Sequence, residues 1–197
     1  MADARRLGIS TVFTLGITTN ESVQTAVTTE KHRYNDDILL FSNFYDDYHN
    51  LSLKTLATFR HHLKTRTADK TIVIWTNMDT FIFAQRLLKF IDGEKLYDKM
   101  KTIYGECSCV GHCRALGYLV PREKSSKFYV PTDVWPQKHW PHFCDGYTVM
   151  FTPRTIDALV KLAGKLSQQY LMQMWLDDVL YTGILAQVSF YLFWFSD

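Results

Sequence analysis

The stretch TIVIWTNMDTFIF, from Thr71 to Phe83, carries the clearest signal for a fold in this 197-residue chain. Its first half, Thr71–Trp75, is a run of β-branched and apolar residues, which predicts a short and fully buried strand. Polar residues then interrupt the run, and an apolar pattern typical of a helix follows. In open α/β sheets, ligands bind just beyond the carboxyl ends of the strands. Asp79 is therefore a candidate to hold phosphates through a metal ion, and the alternative is that it only caps the next helix.

The composition indicates one globular domain. The chain is 47% apolar and 15% aromatic with a formal net charge of +2, and its length is sufficient for a sizeable core. The basic residues are scattered and never form a run, so the charge pattern gives no case for binding nucleic acid. The first ten residues, MADARRLGIS, lack the apolar segment of a signal peptide or membrane anchor.

Alternating strands and helices in the N-terminal half predict an α/β fold with a largely parallel sheet. The predicted strands there are Thr11–Leu15, Asp37–Phe41 and Thr71–Trp75. The predicted helices there are Glu21–Thr29, Asp47–Lys64 and Thr80–Phe90. The second half is richer in loops, with predicted strands at Lys127–Val130 and Thr148–Phe151 and a predicted helix at Thr155–Leu166.

The chain has four cysteines, namely Cys107, Cys109, Cys113 and Cys144. The C-x-C-x3-C spacing beside His112 suggests zinc, but structural zinc sites usually pair their ligands as C-x2–4-C. One or two disulfides are the alternative, and they form in an oxidising compartment. Two N-glycosylation triplets, which begin at Asn20 and Asn50, point the same way.

Seven blocks of this sequence, in order, resemble the β-1,3-galactosyltransferase family (glycosyltransferase family 31). They are VFTLG (Val12–Gly16), YNDDILL (Tyr34–Leu40), NFYDDYHNLSLKT (Asn43–Thr55), IVIWTNMDTFI (Ile72–Ile82), KFYVPTDVWP (Lys127–Pro136), WPHFCDG (Trp140–Gly146) and LDDVLYTGILA (Leu176–Ala186). The pattern D-Y-x-N-L-[ST]-L-K-T at Asp47–Thr55 is the most specific of them. The resemblance covers about Val12 to Gln187, which is most of the chain.

The resemblance implies a single GT-A-like domain, α/β in class, with a nucleotide-sugar-binding half at about residues 11–100 and an acceptor half at about 101–197. It implies a UDP-sugar donor, Mn²⁺ or another divalent cation, and inverting transfer of galactose or N-acetylhexosamine to a glycan acceptor on a glycoprotein or glycolipid. Family members are type II membrane proteins of the Golgi apparatus with a luminal catalytic domain. No anchor is present here, so we expect a luminal part that is truncated at both ends.

The resemblance also assigns the metal site. The family's acidic cluster after the third strand falls on Asn77-Met78-Asp79. Asp79 matches the acid that binds the metal directly, and Asn77 is a weaker candidate ligand. Asn and Met in place of two carboxylates predict weakened metal binding, as does the lack of a histidine after Asp178, since the family completes its metal site with a late histidine. An alternative function is therefore a catalytically impaired member that binds a glycan or a partner protein.

The general base and the pocket are assigned in the same way. Inverting transfer needs a base that takes the proton of the attacking hydroxyl. The family's E-D-V motif falls on Asp177-Asp178-Val179, which makes Asp178 the candidate base and Asp177 the preceding acid; the alternative is that both acids stabilise a helix N-terminus. The family's C-x-G turn places Asp145 and Gly146 in the donor and acceptor pocket.

The aromatic and apolar residues of the second half have more ordinary interpretations. Trp135 and Trp140 are predicted to pack rather than to stack on sugars. The apolar run Val179–Phe195 is short for a membrane span. We expect it to be a helix and a strand that expose apolar surface.

Overall fold

The structure is a computed structural model, and it describes residues 6–34, 37–66, 68, 70–99, 101–107 and 118–189. Its helices are α1 (Glu21–Arg33), α2 (Leu51–Thr65), α3 (Ala84–Gly93), α4 (Thr155–Ala163), α5 (Gln168–Gln173) and α6 (Leu185–Ser189). Its strands are β1 (Phe13–Ile17), β2 (Ile38–Tyr45), β3 (Val73–Thr76), β4 (Ile103–Cys107) and β5 (Cys144–Phe151). Short 3-10 turns occupy Tyr48–Asn50 and Leu96–Asp98, and a π-helical segment, Val179–Ile184, precedes α6.

The strands form two small sheets. Strands β1 and β2 pair in parallel, whereas β3, β5 and β4 form an antiparallel sheet in that order. The α/β class is confirmed, but the prediction of a largely parallel sheet is wrong for the described strands. Because β5 comes from the second half of the chain and pairs with β3 from the first, this sheet joins the two predicted halves.

Strand β3 is an edge strand, and the prediction that it is fully buried is wrong. Its four residues are only partly buried, because β5 covers one of its edges and the other has no neighbouring strand among the described residues. The register pairs Val73 with Phe151 and Thr76 with Thr148. The β-branched run therefore identified a strand correctly but could not identify its place in the sheet.

Helix α2 buries one face. Its buried residues follow a helical period: Ser52, Thr55, Leu56 and Phe59. The Phe59 ring lies edge-on against Phe151 of β5, with centroids 5.2 Å apart, and against Tyr181 of the π-helical segment, at 5.5 Å. These rings join α2, the antiparallel sheet and the π-helical segment into one core.

The predicted strand Lys127–Val130 is wrong, because this part of the chain forms turns around Arg122. The Arg122 guanidinium donates hydrogen bonds to the carbonyls of Val130, Trp135 and Gln137. These carbonyls are thus satisfied without a neighbouring strand. Trp135 and Trp140 pack together with ring centroids 5.8 Å apart, as predicted.

The apolar run that begins at Val179 lies inside the protein. Val179, Leu180, Tyr181 and Ala186 are all buried, so the predicted exposed apolar surface is wrong for residues 179–186. Tyr181 donates a hydrogen bond to the Ser52 carbonyl at 2.8 Å. In the described part of the chain, no helix is long and apolar enough to cross a membrane.

Candidate functional site

The start of β5 is where the candidate residues of the second half meet. Thr182 of the π-helical segment accepts a hydrogen bond from the Cys144 N–H at 2.8 Å, and its hydroxyl lies 2.6 Å from the Asp178 carbonyl. This hydroxyl therefore fixes the turn at Asp178 to the first residue of β5. Single π-helical turns inside helices often occur at functional sites.

Asp178 lies directly beside Gly146. A Cβ atom placed on Gly146 would be 3.8 Å from the Asp178 Cβ and 3.9 Å from its Oδ2. The other carboxylate oxygen, Oδ1, accepts a hydrogen bond from the Val179 N–H at 2.7 Å. One oxygen is thus held by the backbone while the other lies next to the glycine, so the structure brings Asp178 and the Asp145-Gly146 pair together.

The carboxyl groups at this point are harder to ionise than an ordinary aspartate. Burial raises the pKa of Asp178, the hydrogen bond from Val179 opposes the rise, and the neighbouring Asp145 adds to it. Burial also raises the pKa of Asp145, and Glu106 on β4 adds to that rise. Carboxyl groups with raised pKa values that lie close together are typical of acid–base sites.

Asp177 has a different environment from its neighbour. It is buried, and its Oδ2 accepts a hydrogen bond from the Thr55 hydroxyl of α2 at 2.7 Å. Burial raises the pKa of Asp177 to about 7 despite this hydrogen bond, and the adjacent Asp178 contributes to the rise. Asp177 therefore faces α2, and of the two acids Asp178 is the one beside the glycine turn.

Two aromatic rings lie near the paired acids, and the reasoning from sequence did not select them. Tyr48 contacts Trp175 with ring centroids 4.8 Å apart. Burial raises the pKa of Tyr48, and the nearby charges of Asp178 and Asp177 raise it further. The most specific block of the resemblance contains Tyr48, which is the signal that could have pointed to it.

A cavity of about 260 Å³ lies beside Trp175. Its lining is His49, Lys124, Ser126, Lys127, Tyr129, Pro131, Met172, Gln173 and Trp175. The His49 ring lies 5.2 Å from the Trp175 ring. Trp175 thus lines this cavity and also contacts Tyr48.

The turn after β3 is attached to the same end of β5. The Tyr147 carbonyl accepts hydrogen bonds from the Asn77 N–H at 3.3 Å and from the hydroxyls of Thr76 and Thr80 at 3.0 and 3.3 Å. Tyr147 follows Gly146 directly. The turn that carries Asp79 is therefore hydrogen-bonded to the residue of β5 that follows Gly146, the glycine beside Asp178.

Asp79 itself is exposed on this turn, as are Asn77 and Met78. It does not cap the next helix, since α3 begins after Phe83 and has no side-chain cap. It also does not line either of the two described cavities. The helix-cap alternative for Asp79 is wrong, and the metal assignment stays a prediction.

The possible metal ligands near Asp79 fit a cation that takes most of its ligands from groups outside this turn. Within the described ranges, no three His, Cys, Asp or Glu side chains are grouped so that they could hold a metal ion. The turn offers the carboxylate of Asp79 and the amide oxygen of Asn77, which are oxygen ligands of the kind that Mg²⁺ and similar hard cations accept. Such cations often bind through one or two carboxylates plus substrate phosphates.

A disulfide joins Cys107 at the end of β4 to Cys144 at the start of β5. The disulfide alternative is confirmed for this pair. The other zinc candidates, Cys109, His112 and Cys113, lie outside the described residues. The cross-link holds together the two strands that carry Glu106 and Asp145.

Gly183 has no room for a side chain, and this close packing provides a test of how the π-helical segment packs against residues 141–143. A Cβ atom at Gly183 would lie 3.0 Å from the Phe143 Cβ and 3.1 Å from the Pro141 Cγ. Gly183→Ala should therefore reduce the free energy of unfolding by about 1–3 kcal/mol through overpacking, as measured by urea denaturation. Gly93→Ala is the matched control, because a Cβ there meets nothing within 4 Å. Equal stability of the two variants would contradict the packing described here.

Comparison with known proteins gives a consistent result. A family model described as Galactosyltransferase matches residues 1–189. Human Beta-1,3-galactosyltransferase 2 is 26% identical over 163 residues, which are 79% of this chain and 35% of that protein. Mouse Beta-1,3-galactosyltransferase 1 is 26% identical over 153 residues, which are 78% of this chain and 44% of that protein. The chain thus spans between about a third and less than half of the length of these curated relatives.

Proposed function

The chain belongs to the galactosyltransferase family, and we propose that it transfers a hexose from a UDP-sugar to a glycan acceptor, with a β-1,3 linkage and inversion at the anomeric carbon. The observation that carries this proposal is the position of Asp178. It is a carboxyl group with a raised pKa, beside Gly146 and Asp145, at the end of β5 that also holds the turn of Asp79.

Asp178 is proposed as the general base. The acceptor hydroxyl oxygen forms a bond to the anomeric carbon of the donor, the bond from that carbon to the diphosphate oxygen breaks, and the hydroxyl proton passes to the Asp178 carboxylate. A raised pKa makes this carboxylate a stronger base than an ordinary aspartate. The hydrogen bond from the Val179 N–H fixes its orientation.

The donor is proposed to bind at the turn after β3. Asp79, with Asn77 as a weaker ligand, would hold Mn²⁺ or another divalent cation together with the donor diphosphate. When bound, the cation supplies positive charge that stabilises the departing UDP. Asp145 and Gly146 are proposed to line the pocket, since an absent side chain lets a ligand approach the backbone closely.

The acceptor is proposed to be a glycan on a glycoprotein or glycolipid. The cavity beside Trp175 supports an acceptor site there, because Trp175 is two positions before Asp177 in the chain and the lining combines aromatic residues with polar ones. A luminal location in the Golgi apparatus, as part of a type II membrane protein, is proposed as well. The Cys107–Cys144 disulfide supports an oxidising compartment.

The substitution of Asn77 and Met78 for acids favours a second candidate function, a catalytically impaired member that binds a glycan or a partner protein. The two candidates are separated by UDP release from UDP-galactose or UDP-N-acetylglucosamine, with Mn²⁺ and an acceptor mixture. Sugar-dependent UDP release above that of an Asp178→Asn variant supports the transferase. Glycan binding without such release supports the impaired member, and the absence of both contradicts both.

Restoring the acidic cluster should strengthen binding at the donor site. Asn77→Asp combined with Met78→Asp adds two carboxylates beside Asp79, so Mn²⁺-dependent UDP binding should tighten by about 10–100-fold, the range by which changes around a metal site alter affinity. Isothermal titration calorimetry measures this change. The control is Asn77→Gln with Met78→Gln, which adds no charge. Equal affinities in the two double variants would contradict the metal assignment.

A further inference from the structure

A second cavity, of about 430 Å³, lies between the end of α2, the start of β4 and the N-terminal part of α4. Its lining residues are Arg66, Lys101, Arg154, Asp157, Ala158 and Lys161, and we call it the basic cavity. Its volume falls within the range of about 300–1,000 Å³ that is typical of small-molecule sites.

The basic cavity is far from the candidate catalytic residues. Val73 and Ile103, which begin β3 and β4, both pair with Phe151, the last residue of β5. Asp145 lies at the opposite end of β5. Six residues of extended strand separate Asp145 from Phe151 by roughly 20 Å. A ligand in the basic cavity therefore does not occupy the proposed donor pocket.

The lining of the basic cavity carries a strong positive charge. It combines four basic side chains with one acid, so its net formal charge is +3. Arg66 forms a bidentate ion pair with Asp157, with distances of 2.9 and 3.2 Å between the guanidinium nitrogens and the carboxylate oxygens. This pair fixes the Arg66 guanidinium at the cavity wall and neutralises one of the charges.

Among the residues that the structure describes, the other three basic residues have no acidic partner of this kind. Among the salt bridges within the described part of the chain, none includes Lys101, Arg154 or Lys161. Like charges gathered around a concavity repel one another, and a bound anion relieves that repulsion. The whole chain has a formal net charge of only +2, so this concentration of charge is a local feature.

A buried threonine network holds the backbone from which two of these side chains project. The Thr102 N–H donates to the Thr152 hydroxyl at 2.7 Å, and the Thr152 N–H donates to the Thr102 carbonyl at 3.0 Å. Thr155 is buried beside them, with its hydroxyl 3.1 Å from that of Thr152. Lys101 precedes one member of this network and Arg154 lies between two others, so both project from a rigid frame.

Arg154 occupies a backbone conformation that costs energy for an arginine. Its φ is 69° and its ψ is −5°, in the left-handed region that glycine and asparagine adopt more readily. A glycine or asparagine would suit this position better for stability alone. A strained arginine at the rim of a cationic cavity is consistent with a functional role for its charge.

We propose that the basic cavity binds a small molecule through a phosphate or sulfate group. Guanidinium and ammonium groups form strong charge-assisted hydrogen bonds with such oxyanions. The volume of this concavity, about 430 Å³, fits a compact ligand, whereas the flat surface of an anionic membrane would not fill it.

Titration with inorganic pyrophosphate, followed by two-dimensional amide NMR in the absence of divalent cations, tests the proposal. We expect saturable shifts of the Lys101, Ala158 and Lys161 signals that weaken as the salt concentration rises. The double variant Arg154→Asn/Lys161→Gln should bind pyrophosphate at least about tenfold more weakly, because it removes two charged contacts. Asparagine tolerates the left-handed conformation, so this variant should keep its thermal midpoint.

Lys89→Gln with Lys138→Gln is the matched control, since both lysines are exposed and lie outside the basic cavity. It should bind pyrophosphate as the parent chain does. If the double variant does not fold, the single variant Lys101→Gln replaces it, with weaker binding again expected. Unchanged affinity in the cavity variants, or shifts spread over scattered surface lysines, would overturn the proposal. Binding to phosphatidylserine vesicles without any pyrophosphate shifts would also overturn it in favour of a membrane surface.

Discussion

Replacing Asp178 with asparagine is expected to lower the rate of sugar transfer by about 10²–10⁴-fold, the usual contribution of a positioned general base. Asparagine has the same shape and keeps an oxygen that can accept the hydrogen bond from the Val179 N–H, so the fold should be preserved. The measurement is UDP release from UDP-galactose with Mn²⁺, made in the Asn77→Asp/Met78→Asp background because the parent chain is expected to be a weak transferase.

Three outcomes of this experiment bear on the assignment. UDP affinity should be nearly unchanged in the Asp178→Asn variant, because the proposed donor contacts lie on the turn after β3. In the background chain, which keeps Asp178, the rate should fall as the pH drops through the raised pKa of this carboxyl group. Activity equal to that of the background chain, or an equal loss caused by asparagine at the exposed Asp133, would show that Asp178 is not the base.

The second large effect concerns stability, and it is expected at Asp177. Burial raises its pKa to about 7 in the folded chain, whereas an unfolded aspartate has a pKa of about 3.9. Between these values the folded state holds one more proton than the unfolded state, so the free energy of unfolding falls as the pH rises. The slope is about 1.4 kcal/mol per pH unit and the whole loss is of the order of 4 kcal/mol. This stabilisation is fully present below about pH 4 and is lost by about pH 7.

Asp177→Asn should remove this part of the pH dependence. The amide oxygen can still accept from the Thr55 hydroxyl or the Asp178 N–H, and no charge has to be buried at neutral pH. Denaturant unfolding between pH 4 and pH 8 should therefore show a shallower slope and a more stable variant above pH 7. Asp178 and Asp145 keep their own pH dependence of the same sign. A variant with the slope of the parent chain would contradict the burial of an ionisable group here.

Local patterns in the sequence were sufficient for most of the helices. The amphipathic spacing after Asp47 predicted α2, and the predicted helix that starts at Thr155 begins there in the structure. Helix formation depends on residues three and four positions apart, so its signal is contained in a short window. The same is true of the strand run at Val73–Thr76, whose existence was predicted but whose pairing was not.

The pairing of strands depended on distant parts of the chain. Val73 lies beside Phe151, and Cys107 is joined to Cys144 across two antiparallel strands. A run of apolar residues has the same sequence pattern whether the neighbouring strand is parallel or antiparallel. An alternating order of strands and helices therefore suggested a parallel sheet that the described strands do not form beyond β1 and β2.

For the candidate site too, some features follow from the sequence and others from the tertiary structure. The sequence by itself determined the galactosyltransferase family, since the order and content of its blocks need no coordinates, and it selected the adjacent acids Asp177 and Asp178. The resemblance assigned the role of base to Asp178, but only the tertiary structure showed how the environments of the two acids differ, because those environments are built by residues far away in the chain. Thr55 lies 122 positions from Asp177 and binds its carboxylate, whereas Gly146 lies beside Asp178. Burial and charge proximity are set by packing in three dimensions, so the raised pKa values and the basic cavity could be recognised only after the chain was folded.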